Sequence, residues 1–131
     1  MCIFCQIING TIPSFRVYED DKTLAFLDIS PVNPGHVLVV PKKHYENMEA
    51  IPAEELGAVI MSVKKVGALL KNKLEVAGYN ITENNDPLAG QVIGHLHFHI
   101  IPRHERDGLS LWPQHQYRAG EAEEILKRLK S

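Results

Sequence analysis

The stretch His95-Leu96-His97-Phe98-His99-Ile100-Ile101 decides both the fold and the chemistry of this chain. Three of the seven histidines alternate there with large apolar residues. Residues at i, i+2 and i+4 of a β-strand share one face. The segment therefore reads as a strand with an imidazole face and an apolar face. Leu96, Phe98 and Ile100 seat it in the core, and His97 lies mid-strand between two further imidazoles. Imidazole titrates near neutral pH and serves as base, nucleophile or metal ligand. Packing alone does not call for it three times running.

The rest of the chain supplies partners for such a strand. Asn84–Gly94, just before it, is a polar, glycine-containing loop, and Tyr79–Thr82 reads as another strand. Upstream, Leu56, Val59, Ile60, Val63, Val66, Leu70 and Leu74 recur at helical spacing, with most lysines off the stripe. Pro52 suits the first helical position, Glu54 and Glu55 favour its N-terminal end, and the helix should stop before Gly78. That stripe is core. His36–Val40 is a buried strand closed by Pro41, preceded by a Pro- and Gly-containing loop over residues 29–35. Phe15–Tyr18 and Thr23–Asp28 form a hairpin about residues 19–22, and Ile3–Ile8 makes a short helical turn stopped at Asn9-Gly10. Glu121–Lys130 is a C-terminal helix with a solvated charged face. The order β-β-β-α-β-β, with strands mostly meander-like, predicts an antiparallel sheet backed by one long helix, an α+β fold.

Bulk properties bound the function. A chain of 131 residues, 44% hydrophobic and 23% charged, suits one globular domain over 1–131. A net charge of -2 and the lack of a basic stripe exclude a dedicated nucleic-acid binder, but not a small phosphorylated ligand. No apolar run approaches ~18 residues, so no membrane span is expected. The N-terminus does not read as a secretory signal, which points to the cytosol. The only cysteines, Cys2 and Cys5, have C-x-x-C spacing; in a non-secreted chain this suggests metal or redox chemistry. A thioredoxin-like role needs the motif after a strand, and here it opens the chain; two small hydrophobic residues remain the plain alternative.

All three histidines of the motif do not suit one metal ion. At a rise of ~3.3 Å per residue, neighbours at i and i+2 are ~7 Å apart at the backbone, and His95 and His99 ~13 Å apart. Zinc takes nitrogen at about 2 Å. At least one of the three therefore has another task. A closed tetrahedral site from Cys2, Cys5, His44 and His95 is permitted by this reasoning and would free His97 and His99 for chemistry.

With these residues in view, the motif resembles the signature of the histidine triad (HIT) family, His-φ-His-φ-His-φ-φ with φ apolar. Cys2-Ile3-Phe4-Cys5, Phe26-Leu27-Asp28-Ile29-Ser30-Pro31, Pro34-Gly35-His36-Val37-Leu38-Val39-Val40-Pro41-Lys42-Lys43-His44 and Gly90-Gln91 fit in order. The likeness covers residues 2–103, leaving 104–131 as a tail, and is greatest to the compact Hint-type nucleotide hydrolases. It implies a five-stranded antiparallel sheet with one long helix and short flanking helices, in a homodimer joined through the long helix. It implies a nucleotidyl hydrolase or transferase acting at the α-phosphate of an AMP-type purine nucleotide, as a phosphoramidase or a dinucleoside polyphosphate hydrolase.

The resemblance also assigns roles. His97 is the nucleophile, held through the backbone carbonyl of His95, and forms a nucleotidyl-histidine intermediate that water hydrolyses. His99 serves the phosphate and leaving group, and His36 supports from the neighbouring strand. Asp28 binds the ribose hydroxyls, Phe4 and Ile29 line the base, Asn84 meets the sugar-phosphate, and Gln91 belongs to the phosphate loop. Cys2, Cys5, His44 and His95 match a structural zinc site, with no second metal at the active site. Val92 departs from the family's hydroxyl residue, which removes one donor to phosphate. The tail around Trp112 lies outside the shared pattern; Trp112 reads as packing, and His104 and His115 as solvated. Two other classes compete: a nucleotide-binding regulatory module with residual hydrolysis, and a zinc hydrolase whose triad holds the metal, which the spacing disfavours.

Overall fold

A computed structural model describes all residues, 1–131. The elements are α1 (Ile3–Ile8), β1 (Arg16–Glu19), β2 (Thr23–Leu27), β3 (Val37–Pro41), α2 (Ala53–Leu74), β4 (Gly78–Glu83), β5 (Phe98–Arg103) and α3 (Glu121–Lys130), with a 3-10 turn at Pro87–Ala89. The strands form one five-stranded sheet in the order β1-β2-β3-β5-β4, and every neighbouring pair is antiparallel. The α+β architecture with one long helix is thus as the sequence implies. The first three strands do form a meander. The last two do not extend it: α2 carries the chain to the far edge, and β5 then fills the gap between β3 and β4.

Helix α2 packs on one face of the sheet through Val59, Val63, Val66 and Leu70, a spacing of four, three and four that keeps one stripe inward. Against it lie Ala25, Val37, Val39, Leu96, Phe98 and Ile100. Each such side chain contributes about 2 kcal/mol on burial. Gly67 leaves room on α2 for the Tyr79 ring of β4, which a Cβ there would overlap. The helix closes at Glu75, which takes the left-handed conformation (φ 54°) in place of the glycine cap expected nearer Gly78. Pro52 is the N-cap, one residue outside the helix it was expected to begin. No helix is long and apolar enough to cross a membrane.

The opposite face carries a smaller cluster in which Phe4 and Ile7 of α1 cover Leu24, Phe26, Leu38 and Val40. The alternation in the histidine stretch therefore sorts two buried faces: Leu96, Phe98 and Ile100 face α2, whereas His95 and His97 stack edge-on against Phe4. The strand itself begins at Phe98, so His95 and His97 precede it and His97 is not mid-strand. The cause is local hydrogen bonding. Leu96 N–H donates to the Tyr45 carbonyl at 2.7 Å, and the His95 carbonyl accepts from the His97 ring, so these groups do not join a ladder with β3. Helix α3 forms at the expected residues but buries none of them.

Candidate functional site

The site is built where the chain enters β5. His95 is fully buried and its Nε2 lies 2.9 Å from the Pro41 carbonyl. A carbonyl can only accept, so Nε2 carries the proton and the neutral ring turns its Nδ1 lone pair outward. That Nδ1 meets Cys2 Sγ at 3.4 Å, Cys5 Sγ at 3.6 Å and His44 Nδ1 at 3.1 Å. His44 Nδ1 in turn lies 3.5 Å from Cys2 Sγ and 3.4 Å from Cys5 Sγ. Tetrahedral Zn²⁺ with its usual bond lengths requires edges of about 3.6 Å between sulfur and nitrogen and about 3.4 Å between two nitrogens. The four side chains fit that ion without rearrangement, and all four ligand atoms lie within 4.8 Å of one another. The Pro41 carbonyl is placed as the outer partner that would orient a ligating imidazole. The motif's three histidines thus do not share one cluster: His95 joins the cysteines, and His97 and His99 stay apart from them.

Two residues on, His97 is 8% exposed, and its Nδ1 donates to the His95 carbonyl at 2.8 Å. Nδ1 therefore holds the proton, and a neutral His97 has its free lone pair on Nε2. Burial pushes the His97 pKa below its ordinary value, against the opposing pull of the His95 carbonyl and Asp28.

A second proton order runs through His36 and His99. Val32 N–H donates to His36 Nδ1 at 3.0 Å. Neutral His36 then carries its proton on Nε2 and donates to His99 Nδ1 at 2.9 Å. Neutral His99 is left with an N–H at Nε2. Burial lowers the His36 pKa, with Asp28 opposing. His99 falls to about 4, first through burial and then through the neighbouring His97 and His36 rings. Both rings are neutral at pH 7, as this order requires.

Two cavities meet at His99, Asn84 and Gly90. The smaller, ≈ 340 Å³, is walled by Phe4, Ile7 and Phe26 and contains Asp28, Ile29 and His97. Ile29 is 85% exposed at its rim. Asp28 Oδ1 accepts from Ser30 N–H, and Oδ2 lies 3.7 Å from His36 Nε2. The larger, ≈ 710 Å³, lies on the far side of His99 and is lined by His36, Arg103, Leu111 and Trp112. Trp112 is exposed rather than packed, and Arg103 is held by Asp107 through bonds of 2.8 and 3.1 Å. His104 is exposed, as is His115.

Gln91 lines neither cavity. It is buried, its Oε1 accepts from Asp86 N–H, and its Nε2 donates to the carbonyls of Glu46 and Ile93. Its effect on a ligand runs through the loop it shapes, where Asp86 sits at φ 76° ahead of Pro87. Asn84 Nδ2 has only a long 3.5 Å bond to the Gly90 carbonyl, so it stays free to bind. The sequence reading missed Val32, Pro41 and Tyr45. Each acts through its backbone, which leaves no residue-type signal.

The HIT domain profile matches residues 9–106. A HIT-like protein of Methanocaldococcus jannaschii is 60% identical over 108 residues, 82% of this chain and 83% of its own. The chain belongs to the HIT family. Adenosine 5'-monophosphoramidase HNT1 of Candida albicans is 46% identical over 118 residues, 86% of this chain and 78% of its own. Among solved HIT structures, a Zn-bound histidine triad family protein from Mycobacterium smegmatis superposes with a TM-score of 0.80 at 31% identity, covering 98% and 95% of the two chains. The HIT motif of this chain is His95 to Ile101.

Proposed function

We propose that this protein is a nucleotide hydrolase that cleaves the α-phosphate of a purine nucleotide by way of a nucleotidyl-His97 intermediate. The observation that carries the reading is the bond from His97 Nδ1 to the His95 carbonyl, which commits the free lone pair to Nε2 in a cavity shared with Asp28 and His99. The phosphoramidase name of the Candida albicans relative points the same way. His97 Nε2 attacks phosphorus, and the bond from phosphorus to the leaving nitrogen or oxygen breaks. His99 Nε2–H donates a hydrogen bond to the leaving atom, which departs with a proton drawn from solvent. Water then attacks phosphorus and gives up a proton to solvent, the N–P bond breaks, and the nucleoside monophosphate departs with His97 neutral again. Splitting one displacement into two through a covalent intermediate lowers each barrier.

In this reading the nucleoside fills the smaller cavity, with its base against Phe4 and Ile29 and its ribose diol on the Asp28 carboxylate. Asn84 donates to the sugar-phosphate, and the leaving group extends into the larger cavity beyond His99. Cys2, Cys5, His44 and His95 would hold one Zn²⁺, which would supply cohesion to the fold. Exposed Ile60 and Met61 on α2 and Ile81 on β4 suit a homodimer through the long helix. A panel of adenosine phosphoramidate, diadenosine polyphosphates and their guanosine counterparts tests the activity. Release of the monophosphate from one class with higher kcat/KM supports the reading and names the substrate. Tight binding with no turnover of any member supports a regulatory binding module instead.

A further inference from the structure

Helix α1 has six residues, too few to persist in water by itself. Phe4 and Ile7 pack it on the sheet, and two polar ties hold its ends. At its C-terminal end, the Arg16 guanidinium donates to the carbonyls of Ile7 (2.7 Å) and Ile8 (3.3 Å). At its N-terminal end, Cys2 and Cys5 face His44 and His95. Phe4 sits between the two cysteines. Its ring lies 5.0 Å from the His97 ring and 5.9 Å from that of His95, and it walls the smaller cavity beside Ile3 and Ile7. One residue, His95, thus offers its side chain to the tetrad and its carbonyl to the attacking imidazole.

The cysteines are also placed to bond with each other. Cys2 is the N-cap of α1, Cys5 is its third residue, and Cys5 N–H donates to Cys2 Sγ at 3.3 Å. Both are only half-buried, so a small oxidant reaches them. A disulfide across the first helical turn leaves α1 intact and withdraws both sulfurs from His44 and His95.

We propose that Cys2 and Cys5 form an oxidation-sensitive latch on the nucleoside pocket, an inference that rests on the nucleotide reading above. With zinc bound, the thiolates hold the Phe4 end of α1 against His95 and His97. A hydroperoxide oxidises the two thiolates. The Cys2 Sγ to Cys5 Sγ bond forms, the O–O bond breaks, and two protons complete two molecules of water (one water and an alcohol for an organic hydroperoxide). Zinc loses two of its four donors and leaves. Arg16 keeps the far end of α1 in place, so the loss falls on the Phe4 wall and on the support of His97. A thiol reductant with zinc reverses the change.

The test uses the zinc-loaded full chain and hydrogen peroxide. Zinc release is followed with a chromogenic chelator, thiols by titration, and affinity for adenosine 5'-monophosphate by calorimetry. The latch predicts one zinc released per two thiols lost, with affinity falling by about tenfold or more, a loss of at least ~1.4 kcal/mol. Dithiothreitol plus zinc should restore both. Phe4→Ala, which keeps all four ligands, should lower affinity by a similar factor without peroxide. Unchanged affinity after zinc has left overturns the latch, as does retention of zinc while peroxide consumes the thiols. Failure of the reduced, zinc-loaded protein to bind the monophosphate is seen before peroxide is added, and overturns the nucleotide reading itself.

Discussion

His95 and His97 are joined by a single short bond, 2.8 Å from the ring Nδ1 of His97 to the backbone carbonyl of His95. The consequence is chemical. A histidine whose Nδ1 proton is committed to a carbonyl presents Nε2 as a lone pair, and burial favours the neutral ring. The residue that supplies the carbonyl is itself pinned through Pro41 and the tetrad. The backbone therefore leaves the strand ladder at His95–His97 for a purpose that alternation alone does not reveal.

The proton order through Val32, His36 and His99 has a signature in nitrogen NMR. At pH 7 His99 should be the neutral Nε2–H tautomer, with a titration near 4. His99 faces His97, His36 and Asp28. Because the Asp28 carboxylate raises the pKa values of His36 and His99, Asp28→Asn should lower them further. An Nδ1–H tautomer would remove His99 as the donor to the leaving group, and an ordinary pKa near 6.5 would contradict the buried, neutral setting of the ring.

The same shifts fix the sign of the acid response. His36 and His99 are depressed in the fold, whereas in the unfolded chain they titrate near 6.5. Between pH ~6.5 and about 4 the unfolded chain takes up protons that the fold refuses. Stability from these groups is complete above pH ~6.5 and declines as pH falls through that window. Melting temperatures from pH 8 to 4.5 should be level and then fall; a rise on acidification would contradict the neutral assignment.

Gln91 ties the loop that borders both cavities. Gln91→Leu leaves Asp86 N–H and the carbonyls of Glu46 and Ile93 without their partner. The expected cost is on the order of 2–3 kcal/mol, with a rise in KM larger than the fall in kcat. Urea melts and steady-state kinetics on the preferred substrate read both. A variant with unchanged KM would show that the loop holds its shape without the amide.

Gly67 meets the Tyr79 ring across α2 and β4. Gly67→Ala gains helix propensity but overpacks this contact, for a net loss of about 1–2 kcal/mol. Adding Tyr79→Phe to the Gly67→Ala variant relieves part of the overlap and should recover part of the loss. Urea melts of the single and double variants read the difference. A Gly67→Ala single variant more stable than the parent would contradict the packing.

The sequence discloses the helix and strand types because their signals are periodic. Val59, Val63, Val66 and Leu70 repeat at helical spacing, and Leu96, Phe98 and Ile100 alternate. It also brings Cys2, Cys5, His44 and His95 together as one candidate set from residues 93 apart at the extremes, because the chemistry of the ligands restricts the choice. What it hides is carried by backbone groups. Val32 N–H, the Pro41 carbonyl and the Tyr45 carbonyl decide the tautomers of His36 and His95 and the point where β5 begins. The insertion of β5 between β3 and β4 is equally hidden, since strands adjacent in the chain need not be adjacent across the sheet. Gln91 belongs to the expected loop, yet burial and its three internal bonds make it a support for that loop.

The central claim is that His97 Nε2 attacks phosphorus. The most direct measurement is acid-free rapid quench of the protein with adenosine phosphoramidate or diadenosine polyphosphate, followed by proteolysis and tandem mass spectrometry. The account predicts an adenylyl group on the peptide containing His97, localised to that ring, absent in His97→Gly, and formed and lost at rates that match turnover. An adenylyl group on His99 or His36, or full activity of His97→Gly, would contradict it.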